Sequence, residues 1–279
     1  MKDFKDKVAV ITGAASGIGQ ALAYQCGKEG MKVVISDIDE KRLRRTERKL
    51  KREGTVVLSV ITDVSKHGDI EDLAKKTLDA FGAVHLLFNN AGVALPKLTW
   101  EYELDDWDFV LGINLMGVIY GIRTFIPQMI KQDTECHVVN ISSIEGLLYN
   151  GVGGATYGVC KHALVFLSER LTQELEENDH KIKVSVVCPG FVMTNIFMSS
   201  INRLPEEARD GFFQSEMDEE TMENLQEFLE QSPGKTPEEV ADIVFQGIKD
   251  EKLYILTHKQ PILKDMLKER YDAILKAFD

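Results

Sequence analysis

The sequence has no paired cysteines. Its four, Cys26, Cys136, Cys160 and Cys188, are scattered and form no C-x-x-C pair. That excludes a zinc knuckle or a redox dithiol, and no metal site is expected; the four read as small apolar residues in a reducing compartment. A surplus of positive charge is also missing: 33 Lys+Arg stand against 45 Asp+Glu, a formal net charge of −12. Such a surface repels phosphate backbones and anionic lipid, so neither nucleic acid nor membrane is an expected partner. A small anion held in a local site is still compatible. No run of 18 apolar residues occurs, and Met1-Lys2-Asp3-Phe4-Lys5-Asp6-Lys7 leaves no room for an apolar signal core. The expected location is cytoplasmic. Repeats and low-complexity tracts are absent, and no Pro/Gly-rich linker precedes about residue 190. The 279 residues are therefore read as one domain.

What is present is a rhythm. Short β-branched runs at 8–11, 32–36, 56–61, 86–89, 137–141, 183–188 and 253–256 alternate with helical periodicity at 17–29, 40–52, 69–81 and 157–177. Strands apolar on both faces that alternate with helices predict an α/β fold, a doubly wound parallel sheet. The rhythm lapses over 194–235, where residues 205–230 carry ten acidic residues and one arginine; this segment is expected to be a substrate lid. Residues 258–279 form a C-terminal extension, helical from Pro261 to Phe278 with apolar positions at Ile262, Leu263, Met266, Leu267, Tyr271, Ile274, Leu275 and Phe278. Trp100 and Trp107 are expected to anchor a helix at the sheet edge.

The first strand runs into Thr12-Gly13-Ala14-Ala15-Ser16-Gly17-Ile18-Gly19 and then a helix. Glycines at such a turn let backbone N–H groups approach a pyrophosphate at the helix N-terminus. Gly13, Ser16, Gly17, Ile18 and Gly19 are thus cofactor candidates, and the anion needs no lysine or arginine. Asp37 ends the second strand, 18 residues after Gly19. A carboxylate there accepts both adenosine ribose hydroxyls and repels the extra phosphate of NADP, which favours NAD. The basic run from Lys41 to Arg52 recurs around a helix and reads as a solvated face.

Further motifs complete a pattern. Thr12-Gly13-x-x-x-Gly17-Ile18-Gly19, Asn89-Asn90-Ala91-Gly92, Asn114, Ser143, Tyr157-x-x-x-Lys161 and Pro189-Gly190-x-x-x-Thr194 occur in this order. In order and spacing the chain resembles the short-chain dehydrogenases/reductases, closely over residues 4–196 and loosely beyond. The resemblance implies a Rossmann-like fold, with Asp63 and Val64 at the adenine and Asn90, Ala91 and Gly92 beside the cofactor. It also places Pro189, Gly190 and Val192 on the cofactor and Thr194 on the nicotinamide carboxamide. Lys161 would bind the nicotinamide ribose, and Asn114 would hold a helix distortion and a relay water. A homodimer or homotetramer is implied, although the family's frequent glycine-rich ending after the last strand is absent. That departure favours a dimer through the helix bearing Tyr157.

The chemistry follows from the residues themselves. Tyr157 and Lys161, at i and i+4, share one helix face. A free tyrosine, with a pKa of about 10, is a poor base at neutral pH. A neighbouring ammonium and the positive nicotinamide are expected to lower that value. Tyr157 could then take the proton of a substrate hydroxyl, and Ser143 could donate to the forming carbonyl oxygen. Ser143 precedes Tyr157 by 14 residues and Ser142 by 15; 14 is one more than the commonest spacing of the family it resembles, so the resemblance implies Ser143 as the donor. His162 points about 100° away from Lys161 around the helix and is read as packing or surface. Ser143, Glu145, Tyr149, Phe191 and Phe197 are expected to face the substrate, in an apolar pocket that favours a hydrophobic, cyclic or steroid-like alcohol or ketone. The alternatives are an NADPH-dependent carbonyl reductase and a non-catalytic NAD-binding scaffold or redox sensor.

Overall fold

The β-branched runs form a sheet of seven parallel strands: β1 (Val8–Thr12), β2 (Lys32–Asp37), β3 (Val57–Ile61), β4 (Leu86–Asn89), β5 (Cys136–Ile141), β6 (Ile182–Cys188) and β7 (Tyr254–Leu256). The computed structural model describes residues 1–148, 154–194, 196 and 234–278. The strand order is β3-β2-β1-β4-β5-β6-β7, the doubly wound arrangement expected. Val10 sits opposite Val34 on one side and Leu87 on the other. Every residue of β1, β4 and β5 is buried, as strands covered on both faces require.

The helices are α1 (Gly17–Lys28), α2 (Glu40–Arg52), α3 (His67–Phe81), α4 (Leu104–Leu111), α5 (Gly117–Gln132), α6 (Ala155–Glu177), α7 (Pro237–Lys249) and α8 (Pro261–Leu275). Alternation along the strands makes two cores. On one face Ala9, Ile11, Val33, Ile35 and Phe88 pack with Leu22 and Cys26 of α1 and Val244 and Phe245 of α7. On the other, Val8, Val10, Val34 and Leu87 meet Ile70 and Leu73 of α3, Phe125 and Met129 of α5, and Leu171 of α6. Thr236 and Glu239 form a reciprocal capping box that starts α7, with Pro237 in its first turn.

Leu104–Gln132 is one continuous helix, long and apolar enough by composition to cross a membrane. Here its apolar residues Val110, Val118, Phe125, Ile126 and Met129 are buried, which accounts for that composition. Between α4 and α5 it widens into a π-helical segment, Gly112–Met116, around the fully buried Asn114.

The basic run lies on α2, where only Leu43, Thr46 and Leu50 are buried and Arg44 and Lys51 pair with Glu40 and Glu47 one turn away. Two expectations need correction. Trp107 packs edge-on to Tyr102, but Trp100 is 80% exposed because it sits on the short turn Thr99–Glu101 before α4, outside any helix–sheet contact. The C-terminal helix buries only Leu263; Tyr271, Ile274, Leu275 and Phe278 are exposed, so only its first turns dock.

Candidate active site

The cleft opens at the carboxyl ends of β1, β4 and β5, where the strand order changes direction around β1. One wall is mostly backbone. Thr12 Oγ1 donates to Phe88 O and accepts the N–H groups of Asn90 and Ala91 at 3.0 and 3.1 Å. Asn90 Nδ2 donates to Thr12 O and Gly13 O at 2.8 and 3.2 Å. Gly13 has φ +66, the left-handed region that a side chain disfavours. A Cβ on Gly19 would lie 2.3 Å from both Gly13 O and Asn90 Nδ2. The Ser16 side chain makes no capping bond to α1, so the first-turn N–H groups face outward without a side-chain acceptor. Asp37 accepts the N–H groups of Ala15 and Asp39 at 3.0 and 2.9 Å. Burial holds its carboxyl above the ordinary range, with those two bonds opposing the rise. This combination of free helix N–H groups, a glycine turn with no room for a side chain and a carboxylate at the β2 end fits a dinucleotide.

Other cofactor candidates are placed less directly. Thr194 Cγ2 is 3.1 Å from where a Cβ on Gly17 would stand, so Thr194 lies against the glycine turn. The Asp63 carboxylate is engaged by the Ser65 N–H, the Ser65 hydroxyl and Lys66. The Val64 side chain is buried against Gly117. Val192 bridges to Lys235 and packs on the core. Gly190 donates its N–H to Nδ1 of the buried His258 at 3.1 Å, so a residue just past the last strand braces the Pro189-Gly190 turn. Sequence reasoning missed His258, and its only signal is a histidine at a strand end.

The other wall is made of side chains. Ser142 Oγ donates to Lys161 O at 2.7 Å and so braces α6, while the Ser143 hydroxyl lies close enough to Tyr157 to favour its ionised form. The serine turn is held from three sides. Ile144 N–H donates to Pro189 O, His162 Nδ1 pairs with Gly146 O at 2.7 Å, and Arg270 of α8 donates to Leu147 O. His162 therefore has a positioning role beyond packing; its place beside Lys161 was the available signal. Lys161 is buried, its Nζ donating to Ile141 O at 2.8 Å and lying 5.3 Å from the Tyr157 ring centroid. Asn114 exchanges two hydrogen bonds of 2.8 Å with the Val93 backbone. A Cβ on Gly92 would stand 3.4 Å from Asn114 Oδ1 and 3.6 Å from Lys161 Nζ, so both reach one point beside β4.

Burial dominates the electrostatics of the chain's own groups here. Burial pushes the Tyr157 hydroxyl above its ordinary pKa and Glu145 adds to the rise, with the Ser143 bond opposing. The Lys161 Nζ, which donates to Ile141 O, lies beside the same ring. Burial lowers the Lys161 ammonium to about 8, although the Glu145 carboxylate favours its charge. Glu145 is solvent-exposed at the cleft mouth, yet partial desolvation still raises its carboxyl. Phe191 is 43% exposed and lies against Gly234. Tyr149, Phe197 and most of the expected lid, 195 and 197–233, lie outside the described residues. Among the described residues no cluster of potential metal ligands occurs.

Comparison with known proteins gives the same picture. The family model for short chain dehydrogenase matches residues 7–204. A CLA biosynthesis dehydrogenase/reductase of Lactiplantibacillus plantarum is 37% identical over 272 residues, 96% of this chain and 94% of that protein. A C alpha-dehydrogenase of Sphingobium sp. (strain NBRC 103272 / SYK-6) is 31% identical, covering 99% and 87%. Among solved structures, a short chain dehydrogenase/reductase from Burkholderia phymatum in complex with NAD superposes with a TM-score of 0.86 at 38% identity, covering 99% of this chain and 97% of that one. The chain is an oxidoreductase of the short-chain dehydrogenase family.

Proposed function

We propose that the protein is an NAD-dependent dehydrogenase that interconverts a hydrophobic secondary alcohol, cyclic or steroid-like, and its ketone. The observation that carries this reading is the convergence of Asn114, Ser143, Tyr157 and Lys161 on one cleft beside the glycine turn. NAD, when bound, supplies the hydride acceptor. The chain supplies the proton chemistry. Tyr157 takes the hydroxyl proton of the alcohol, or returns it to the ketone, while Ser143 donates a hydrogen bond to the same oxygen. Lys161 contributes positive charge beneath the tyrosine ring, and Asn114 fixes the Val93 backbone at the cleft floor.

Asp37 supports NAD over NADP. Its carboxylate would stand where the extra phosphate must go, and the following Ile38 is exposed and uncharged. The NAD named in the Burkholderia phymatum structure agrees. The partly exposed Phe191 and Met193, next to Thr194, support an apolar substrate. For assembly we propose a homodimer through α6, whose Val159 and Phe166 are exposed; sedimentation of the wild type and Phe166→Glu checks it.

The decisive experiment follows reduced cofactor by absorbance across a panel of secondary alcohols, with NAD and NADP compared. Turnover with NAD is expected. Tyr157→Phe should lower kcat by about 10²–10⁴-fold while NADH binding, read by fluorescence, is retained. Unchanged turnover in Tyr157→Phe would overturn the mechanism, and a preference for NADP would overturn the role given to Asp37.

A further inference from the structure

The turn that carries Ser143 also carries a charge that alcohol oxidation does not require. Glu145 lies two residues on, and its N–H donates to Ser143 Oγ at 3.2 Å. This bond uses an acceptor site of the serine and leaves its O–H to donate into the cleft. The Glu145 side chain reaches across the cleft mouth. Its Oε2 is 4.0 Å from the position of a Cβ on Gly154, the residue that opens α6 three positions before Tyr157. The carboxylate acts electrostatically on both Tyr157 and Lys161. The nearby cation does not pair with it, since Lys161 Nζ is directed to Ile141 O. Among the described residues no hydrogen bond or ion pair engages the Glu145 carboxylate.

A carboxylate with no partner among the described residues constrains what can bind at this place. A purely apolar substrate would strip water from it and return nothing, a large desolvation cost. A substrate with a hydrogen-bond donor near the reacting carbon would replace the lost water. We propose that Glu145 is a specificity-determining residue whose carboxylate accepts a hydrogen bond from a hydroxyl or ammonium next to the carbinol, so that the substrate is a vicinal diol or amino alcohol on an otherwise apolar skeleton. This rests on Tyr157 being the group that exchanges the carbinol proton. Ser143 and Tyr157 hold the reacting oxygen and Glu145 the second donor, which fixes the carbon presented for hydride transfer.

The test compares three substrates on one carbon skeleton: a 1,2-diol, the 2-amino alcohol and the secondary mono-alcohol. Initial rates are measured with the wild type, Glu145→Gln and Glu145→Ala, and NADH binding by fluorescence verifies that each variant is folded. The wild type should favour the diol or the amino alcohol over the mono-alcohol at least tenfold in kcat/KM, mainly through KM. Glu145→Ala should abolish that ratio. Glu145→Gln should keep part of it for the diol, whose hydroxyl can still donate to an amide oxygen, and lose it for the amino alcohol. A wild type indifferent to the second group, or a preference that survives in Glu145→Ala, overturns this assignment and leaves the dehydrogenase reading standing. No turnover of any of the three with either cofactor overturns that reading and the assignment with it.

Discussion

The two walls of the cleft are built by different physics. The wall formed by the β1–α1 turn and the β2 end offers backbone N–H groups, glycines and one carboxylate. The wall formed by the serine turn and α6 offers side chains, and Glu145, Tyr157 and Lys161 all have ionisation displaced by burial. A wall of amides recognises a fixed shape and fails when space is lost. A wall of partly or wholly desolvated ionisable side chains manages a proton and fails when charge is altered. Each can therefore be broken by a kind of change the other tolerates.

The largest effect is expected from filling space on the backbone wall. Gly19→Ala places a Cβ 2.3 Å from Gly13 O and Asn90 Nδ2, and the backbone oxygen cannot step aside cheaply. Overpacking of this kind costs about 1–3 kcal/mol, and the shift displaces the N–H groups aimed at the pyrophosphate. NADH affinity by fluorescence titration should fall at least about tenfold, one decade per about 1.4 kcal/mol, with a lowered Tm. Retained affinity would mean that the turn is not the anion cradle.

Charge matters on that wall at one point. Asp37→Asn keeps the size of the side chain but removes the anion proposed to face the ribose. Hydrogen bonds to charged groups contribute about 1.5–3 kcal/mol, so the NAD/NADP ratio of kcat/KM should fall about 10–100-fold. The ratio is the useful readout, because the amide keeps an oxygen for only one of the Ala15 and Asp39 N–H groups that Asp37 now holds through separate oxygens, and a ratio cancels the resulting general loss. An unchanged ratio would separate Asp37 from cofactor choice.

How legible each wall was in the sequence follows from the same difference. The backbone wall depends on glycine positions and strand ends, which local pattern fixes, so the places of Gly13 and Gly19 at the β1–α1 turn and of Asp37 at the β2 end could be read from the strand–turn–helix pattern. The strands were found for a similar reason: runs apolar on both faces have few alternatives to a covered parallel sheet. The substrate wall depends on contacts between distant segments, which spacing does not encode. Ser143 and Tyr157 could be named, but their bracing by His162, Pro189 and Arg270 could not, nor could the Lys161 ammonium turning to Ile141 O. Nor was the burial of Tyr157 legible, which raises its pKa and which the ammonium and the nicotinamide charge must offset, because adjacency on a helix says nothing of burial. The full docking of α8 failed too, since its apolar stripe is periodic whether or not a surface lies opposite.

A buried polar chain ties the substrate wall to the sheet. Asn89 Nδ2 donates to Asn140 Oδ1, Asn140 Nδ2 to Ser168 Oγ, and Ser168 Oγ to Leu164 O, at 2.9, 3.0 and 2.7 Å. Ser168→Ala leaves the Asn140 N–H without its acceptor, which costs about 1–3 kcal/mol. Chemical denaturation should show that loss. Because Ser168 lies on the side of α6 turned to β5, three turns beyond Tyr157, the kcat ratio between substrates should stay within about twofold in the folded variant, as expected for a packing change away from the reacting groups.

The smallest effect is the most specific to the side-chain wall. In the proposed mechanism alcohol oxidation needs Tyr157 without its proton, and the Glu145 carboxylate favours the protonated form. Glu145→Gln removes that anion, so the Tyr157 pKa falls and the rising limb of the rate against pH moves to lower pH. Lys161, Cys160 and Cys188 are the other ionisable groups beside the tyrosine and lysine pair. Burial places the Lys161 ammonium at about 8 and the same carboxylate helps hold its proton, so the substitution lets Lys161 deprotonate at lower pH as well. Both transitions therefore move in one direction, and the active window slides toward acid without widening. Profiles measured with a mono-alcohol keep any loss of donor binding out of the comparison. Asp37→Asn, a charge removed from the opposite wall, should leave the profile where it is. A profile that shifts equally in both variants would mean that the two walls share one electrostatic field, and the division between them would fail.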